Sequence, residues 1–187
     1  MTLDNQEPLI LHGDGGYSVK SATGQASHYY SQPHYAVSGT VTTPDGPITV
    51  SGQGWLDREW SSQPLTQDQS GWDWFSLSFE DGNRLMGFRL RGNQDVFTSG
   101  TWIGADGTTV PLRPGQFQAR ALGTSQTAGR SIPTTWQVTL KDRGVDLRIE
   151  AVNPDSWMAT SFPYWEGPVR VTGSHTGRGY LEMTGYD

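Results

Sequence analysis

Clusters of turn-forming residues interrupt this chain at short spacing. They are Pro44-Asp45-Gly46, Asp81-Gly82-Asn83, Gly92-Asn93, Gly104-Ala105-Asp106-Gly107, Arg143-Gly144 and Gly177-Arg178-Gly179. Each supplies Gly, Asn or Asp where φ can turn positive. The runs between them alternate apolar and polar residues with a period of two, the pattern of half-buried strands. No amphipathic stretch of normal helix length and no fixed-period repeat stands among them. With 24 Gly and only 17% charged residues, the chain reads as all-β.

Two runs illustrate the pattern. Trp136, Val138 and Leu140 alternate with polar residues, as do Val145, Leu147, Ile149 and Ala151, and only Asp142-Arg143-Gly144 separates the sets. That spacing predicts a hairpin. The run 72–80 differs, because neither face carries charge before Glu80. Phe75, Leu77 and Phe79 share one face, and Trp72, Trp74, Ser76 and Ser78 the other. Such a strand is covered on both sides, with one face in the core and the other available as a cavity wall. The run 84–91 sets Met86, Phe88 and Leu90 against Arg89 and Arg91. Segments 27–31, 34–43, 48–55, 96–103 and 169–183 complete about ten strands.

The Gly/Ser/Thr/Gln-rich stretch 114–134 is expected to be a long loop, and residues 1–12 a loose arm ahead of one domain, 13–187. Many short antiparallel strands in one domain resolve as a sandwich or a barrel. Barrel closure removes edge strands, and eight to ten strands can enclose a small ligand. The expectation is the barrel.

A length of 187 residues allows one domain with a sizeable core. The absence of Cys excludes disulfides and thiolate chemistry. A net charge of −6 argues against a nucleic-acid surface. No apolar run is long enough to span a membrane. The polar start, Met1-Thr2-Leu3-Asp4, lacks signal-peptide features, so a cytoplasmic location is expected.

Four of the eight tryptophans fall in Trp55-Leu56-Asp57-Arg58-Glu59-Trp60 and Gly71-Trp72-Asp73-Trp74-Phe75, with carboxylates and an arginine among them. Burying an unpaired charge is costly, so these groups are either solvated, paired or used. In an extended chain Asp57 and Glu59 share a face, and two close carboxylates repel, so one can hold its proton towards neutral pH. A protonated carboxyl in an apolar pocket is a general acid. The alternative is an ion pair of Arg58 with a carboxylate, pinning the strand end. Asp73 reads as a turn residue ahead of a buried acid. Tyr164-Trp165-Glu166-Gly167 repeats the aromatic and carboxylate theme. Tyr29, Tyr30 and Tyr35 lie near His28 and His34, where tyrosine hydroxyls can donate to a ligand oxygen. Metal-ligand spacing, a phosphate-binding loop and a serine elbow are not evident.

In order, Gly13-Asp14-Gly15-Gly16-Tyr17-Ser18, Tyr29-Tyr30-Ser31, the segments 55–60 and 71–75, Leu85-Met86, Tyr164-Trp165-Glu166-Gly167 and 179–186 resemble the lipocalin-like AttH/CrtC family. The resemblance covers the chain from about residue 12. The family includes carotenoid 1,2-hydratases, which protonate a terminal alkene and add water without a cofactor. It also includes fungal lipocalin-like cyclases that guide intramolecular Diels–Alder reactions. Members usually carry two related β-barrel-like domains, and this chain resembles the second, which implies either that a homodimer can replace the other or that the chain is an excised domain. The hydratases carry a His before the matching Trp, whereas Glu59 precedes Trp60 here, and Arg84–Phe88 holds no counterpart of their downstream Asp. That departure argues against carotenoid hydration.

The resulting expectation is a lipocalin-like antiparallel barrel acting as a cofactor-free cyclase on an apolar polyene or polyketide-like molecule, mostly by confinement. Asp57, Glu59, Tyr30 and Tyr164 are the expected catalytic donors. Trp60, Trp72, Trp74, Trp165, Phe75 and Met86 are the expected substrate walls. The alternatives are a carrier of a lipophilic metabolite, and an alkene hydratase or isomerase using a buried carboxylic acid.

Overall fold

The computed structural model describes residues 1–5, 7–63, 68–92 and 96–186. Asn93, part of one turn cluster, lies outside them, as does Asp187. The described residues form fifteen strands: β1 (Thr2–Asp4), β2 (Ile10–Leu11), β3 (Tyr17–Val19), β4 (Ala26–Thr43), β5 (Gly46–Trp60), β6 (Gln69–Phe79), β7 (Arg84–Gly92), β8 (Val96–Ile103), β9 (Thr109–Leu112), β10 (Gln118–Thr127), β11 (Arg130–Leu140), β12 (Val145–Ala151), β13 (Trp157–Met158), β14 (Tyr164–Gly173) and β15 (Gly177–Met183). No helix among them is long and apolar enough to cross a membrane.

The antiparallel all-β class is as expected, with the strands grouped in two sheets. In the five-stranded sheet, β4 carries β5 along its length and β1, β2 and β3 along its other edge. The ten-stranded sheet runs β10-β11-β12-β14-β15-β6-β7-β8-β9, with β13 on β14. Pro33 interrupts β4, and the register with β5 shifts between Gln32 and Tyr35. Proline cannot donate to the ladder, so a bulge is the usual solution.

Alternation places the core. Phe75, Leu77 and Phe79 of β6 meet Trp136 and Val138 of β11, Leu147 and Ile149 of β12, and Leu181 and Met183 of β15. The predicted hairpin forms, with Trp136 opposite Ile149, Val138 opposite Leu147 and Leu140 opposite Val145. A 3-10 turn at Lys141–Arg143 joins its strands, and Gly144 closes it at φ 64°. Each large apolar side chain buried here contributes about 1.5–3 kcal/mol. The Phe117 ring lies on the backbone of Gly87, where any Cβ would collide with it.

Two expectations fail. The stretch 114–134 is no long loop, because β10 and β11 pair across a tight turn at Ala128-Gly129. As the end strand of its sheet, β10 is largely exposed, so polar residues suffice and the apolar alternation is faint. Residues 1–12 are no loose arm either. Thr2–Asp4 pairs with Ala36–Ser38, and Ile10 and His12 are buried. Pairing on a free strand edge satisfies backbone groups without an apolar pattern.

Candidate active site

The two sheets face each other across a cavity of about 810 Å³. Its walls follow from strand parity. On β6, Trp72, Trp74, Ser76 and Ser78 line the cavity because Phe75, Leu77 and Phe79 take the core. On β15, Leu181 and Met183 point to the core, which leaves Tyr180 and Glu182 on the cavity. From the other sheet, β5 contributes Trp55, Asp57 and Glu59, and β4 contributes Ser27 and Tyr29. Lys20, just beyond β3, enters from the side.

Asp57 is the most densely held group. It accepts hydrogen bonds from Tyr29 Oη at 2.9 Å, from Trp55 Nε1 at 2.7 Å and from the Ser31 hydroxyl. Ser31 Oγ is also 2.6 Å from Nε2 of the fully buried His12, whose Nδ1 is 2.9 Å from Thr101 Oγ1. Ser31 has one proton and gives it to Asp57, so His12 Nε2–H donates to Ser31 and Nδ1 accepts from Thr101. Trp74 Nε1 donates to Tyr29 Oη at 2.9 Å. A continuous chain therefore runs from Thr101 through His12 and Ser31 to Asp57, Tyr29 and Trp74.

Burial raises the Asp57 carboxyl above the ordinary range. The bonds from Ser31, Trp55 and Tyr29 oppose that rise, and the charge of Glu59 adds to it. Burial, with Asp57 and Glu59 nearby, pushes the Tyr29 phenol well above its usual value. Burial lowers His12 to about 3, which keeps it neutral. Glu182 enters from the opposite sheet. Trp72 Nε1 donates to it at 2.7 Å, and burial raises its carboxyl against that bond.

Glu59 pairs with Lys20 at 2.7 Å and accepts from Ser27 Oγ at 2.5 Å. The expected partner, Arg58, is exposed and forms no ion pair among the described residues.

Asp73 proves to be a fully buried acid rather than a turn residue. It faces away from the indoles of Trp72 and Trp74, and is held by Arg91, by Arg89 at 3.5 Å and by Tyr186 Oη at 2.8 Å. The Arg91 guanidinium also donates to the Thr184 carbonyl and lies 4.0 Å from the centre of the Tyr186 ring. This cluster fastens the segment 184–186 to β6, and a Cβ at Gly71 would collide with the Thr184 carbonyl.

The structure brings Asp57, Glu59, Trp60, Trp72 and Trp74 to the cavity, with Trp60 at the rim, 55% exposed and stacked on His28. Phe75 is fully buried against Phe117 and Trp136 and is a core residue. Trp165 is likewise buried, with its N–H on the Pro154 carbonyl. Met86 clusters with Tyr29, Phe88 and Leu90 and does not reach the lining. Tyr30 lies on the outer face of β4, edge-on to Trp60, so the inward phenol is its neighbour Tyr29. Tyr164 sits beside Trp72 and Phe162, outside the lining. Sequence reasoning missed Lys20, Tyr29, Ser31, His12 and Glu182 as site residues. Parity with Leu181 and Met183 was signal enough for Glu182. Among the described residues, no group of three or more His, Asp or Glu is placed to hold a metal ion.

A family profile described as AttH-like matches residues 1–186. The chain is a member of the AttH-like family. The crystal structure of an AttH protein of Nitrosomonas europaea matches this AttH-like chain with a TM-score of 0.91 and 36% identity, covering 99% of this chain and 61% of that one. Kievitone hydratase of Nectria haematococca matches with a TM-score of 0.79 and 20% identity, covering 97% of this chain and 59% of that one. That second likeness is one of fold. The AttH-like chain thus spans about three-fifths of the length of these relatives. No curated protein matches it. The lipocalin-like, all-β architecture is shared across the set.

Proposed function

We propose that this AttH-like chain binds an apolar unsaturated small molecule and moves a proton on it, as an alkene or enol hydratase or isomerase without a cofactor. One observation carries the reading: two desolvated carboxyls, Asp57 and Glu182, come from different sheets into one indole-walled cavity. A carboxyl whose pKa is raised by burial holds its proton to higher pH than a free one, which suits it to give and take protons. Asp57 delivers its proton to an unsaturated carbon. The cationic centre that develops faces the π systems of Trp55, Trp72 and Trp74, which attract positive charge. Glu182 takes a proton from water, completing hydration, or from a neighbouring carbon, completing isomerisation. Tyr29, polarised by the Trp74 N–H, holds a ligand oxygen or steadies Asp57. The hydratase name of the fungal neighbour agrees with this class of reaction.

Cyclisation by confinement is the second reading, favoured by the volume and aromatic walls of the cavity. A homodimer in place of the rest of the longer relatives is a further proposal, which sedimentation at micromolar concentration tests.

Linear polyenes and enones, incubated with the protein and followed by chromatography with mass detection, test the main reading. A product heavier by one water marks hydration, and an isomer of equal mass marks isomerisation or cyclisation. Asp57→Asn is expected to reduce proton-transfer turnover by about 10²–10⁴-fold. A full rate with Asp57→Asn removes the proton-transfer reading and leaves confinement. Saturable tryptophan quenching with the ligand returned unchanged across the panel leaves a carrier.

A further inference from the structure

Lys20 has no part in that proton transfer, and its setting is unusual for a lysine. Its Nζ lies 4.0 Å from the centre of the Phe88 ring and 4.8 Å from that of Tyr29, with the side chain only 18% exposed. Its one ion-pair partner among the described residues is Glu59, at 2.7 Å. Both reach the same cavity as Trp55 and Trp74. A lysine used for structure normally extends its ammonium into water. This one ends inside an aromatic chamber, beside a carboxyl that can accept its proton.

We infer that Lys20 is a carbonyl-capturing amine, which forms a reversible imine with an apolar aldehyde or ketone held in the cavity, with Glu59 as its proton shuttle. The inference rests on the cavity being the ligand site, and not on the proton transfer by Asp57.

The charges of the lining favour a carbonyl over an anionic headgroup. Lys20 is already paired with Glu59, and the carboxyls of Asp57 and Glu182 share the lining, so a carboxylate or phosphate would find the ammonium engaged and further acids beside it. A neutral carbonyl needs no free cation. Burial between the rings lowers the Lys20 amine below its ordinary value, although Glu59 and Asp57 oppose this, and so raises the share of the nucleophilic neutral form.

The step balances without any further reactant. The ammonium passes a proton to Glu59. The free amine adds to the carbonyl carbon, forming the C–N bond as the C=O π pair moves to oxygen, and the surplus proton on nitrogen passes to that oxygen to give the neutral carbinolamine. The protonated Glu59 returns its proton to the carbinolamine hydroxyl, which leaves as water while the nitrogen lone pair forms the C=N bond. Hydrolysis reverses each step.

The chain has two lysines, Lys20 and the exposed Lys141, so the second is a built-in control. The test treats the full folded chain with decanal and cyanoborohydride, which reduces an imine to a stable secondary amine, and then maps peptides by mass. The expected result is a gain equal to decanal less one oxygen on Lys20, at least tenfold faster than on Lys141 or the Met1 amine. Lys20→Arg keeps the positive charge beside Glu59 and is expected to abolish the fast labelling. Glu59→Gln is expected to slow it several-fold with Lys20 intact. Labelling that is no faster at Lys20 than at Lys141 and Met1 overturns the inference. If decanal fails to label Lys20 while polyenes are turned over by an Asp57-dependent route, only the imine falls. If Lys20 is labelled and Asp57→Asn changes no rate, only the proton-transfer reading falls.

Discussion

Asp57 and Asp73 are both carboxylates beside tryptophans, and both are removed from water. Their surroundings separate them. Asp73 is met by two guanidiniums and a phenol, and no part of it reaches the cavity. Asp57 is met only by neutral donors, and it opens on a space large enough for a ligand. Paired with arginines, a buried acid ties strands together. Set among hydroxyls and an indole, it is raised by burial with no cation beside it to oppose the rise. The sequence presents these two uses as rival explanations of one aromatic and carboxylate pattern, and the molecule contains both, on opposite faces of the β-structure.

The strongest way to break this comparison is to neutralise each acid without changing its shape. Asp57→Asn is expected to lower turnover by the orders of magnitude given above and to leave the melting temperature nearly unchanged. Asp73→Asn leaves two partly buried arginines without their anion, and removing one partner of a buried pair costs roughly 3–5 kcal/mol. Its folded fraction is expected to keep its rate. Chemical denaturation and single-turnover kinetics on both variants decide the matter. An Asp73→Asn protein that is stable but inactive would show that the two acids form one site.

Acid titration sharpens the contrast. Burial holds His12 at about 3 in the folded chain, against an ordinary value of 6.5 that the unfolded chain approaches. Its lowered value contributes stability that is present above 6.5 and is lost as pH falls towards about 3. The buried carboxyls have the opposite sign. The folded values of Asp57 and Glu182 are raised, so their contribution is full below the ordinary values of 3.8 and 4.5 and is lost as pH rises through the raised ones. The native chain is therefore expected to lose part of its stability between pH 6.5 and 3, and His12→Asn is expected to flatten that loss. Turnover is expected to fall at high pH, as Asp57 loses the proton it donates, with a midpoint above the ordinary carboxylate range. Denaturant midpoints across pH test the first expectation, and pH–rate profiles test the second. An equal slope in His12→Asn would remove His12 as its source.

Much of this arrangement is legible in the chain. Alternation in 72–80 separates Phe75 and Leu77 from Trp72 and Trp74, and the structure keeps that separation. Expecting Phe75 on a ligand wall goes against its own parity. Tyr29 and Tyr30 are locally equivalent, because nearby sequence does not say which face of β4 turns inward; its pairing with β5 does, and that is a long-range fact. Asp73 reads as a turn residue because Arg91 and Tyr186, its partners, are distant in sequence. Lys20 and His12 lie in a region with little periodic pattern, so nothing local marks their burial.

The finest version of the comparison concerns tryptophans rather than acids. Trp72 and Trp74 donate to Glu182 and Tyr29 at the cavity, whereas Trp136 and Trp165 donate to the carbonyls of Pro133 and Pro154 in the core. Trp→Phe keeps an aromatic ring and deletes one N–H donor, a loss of about 1 kcal/mol where the partner stays buried. At Trp136 that loss leaves the buried Pro133 carbonyl short of a partner, so it is expected in the denaturant midpoint, and at Trp165 less so because Pro154 is exposed to water. At Trp74 the phenol of Tyr29 loses the donor that holds its value down, which moves it further from the ligand's needs. A rate reduced about five- to tenfold, with stability little changed, is expected there. Equal effects on stability at all four positions would mean that the cavity wall is simply more core, and the distinction between Asp57 and Asp73 would lose its physical basis.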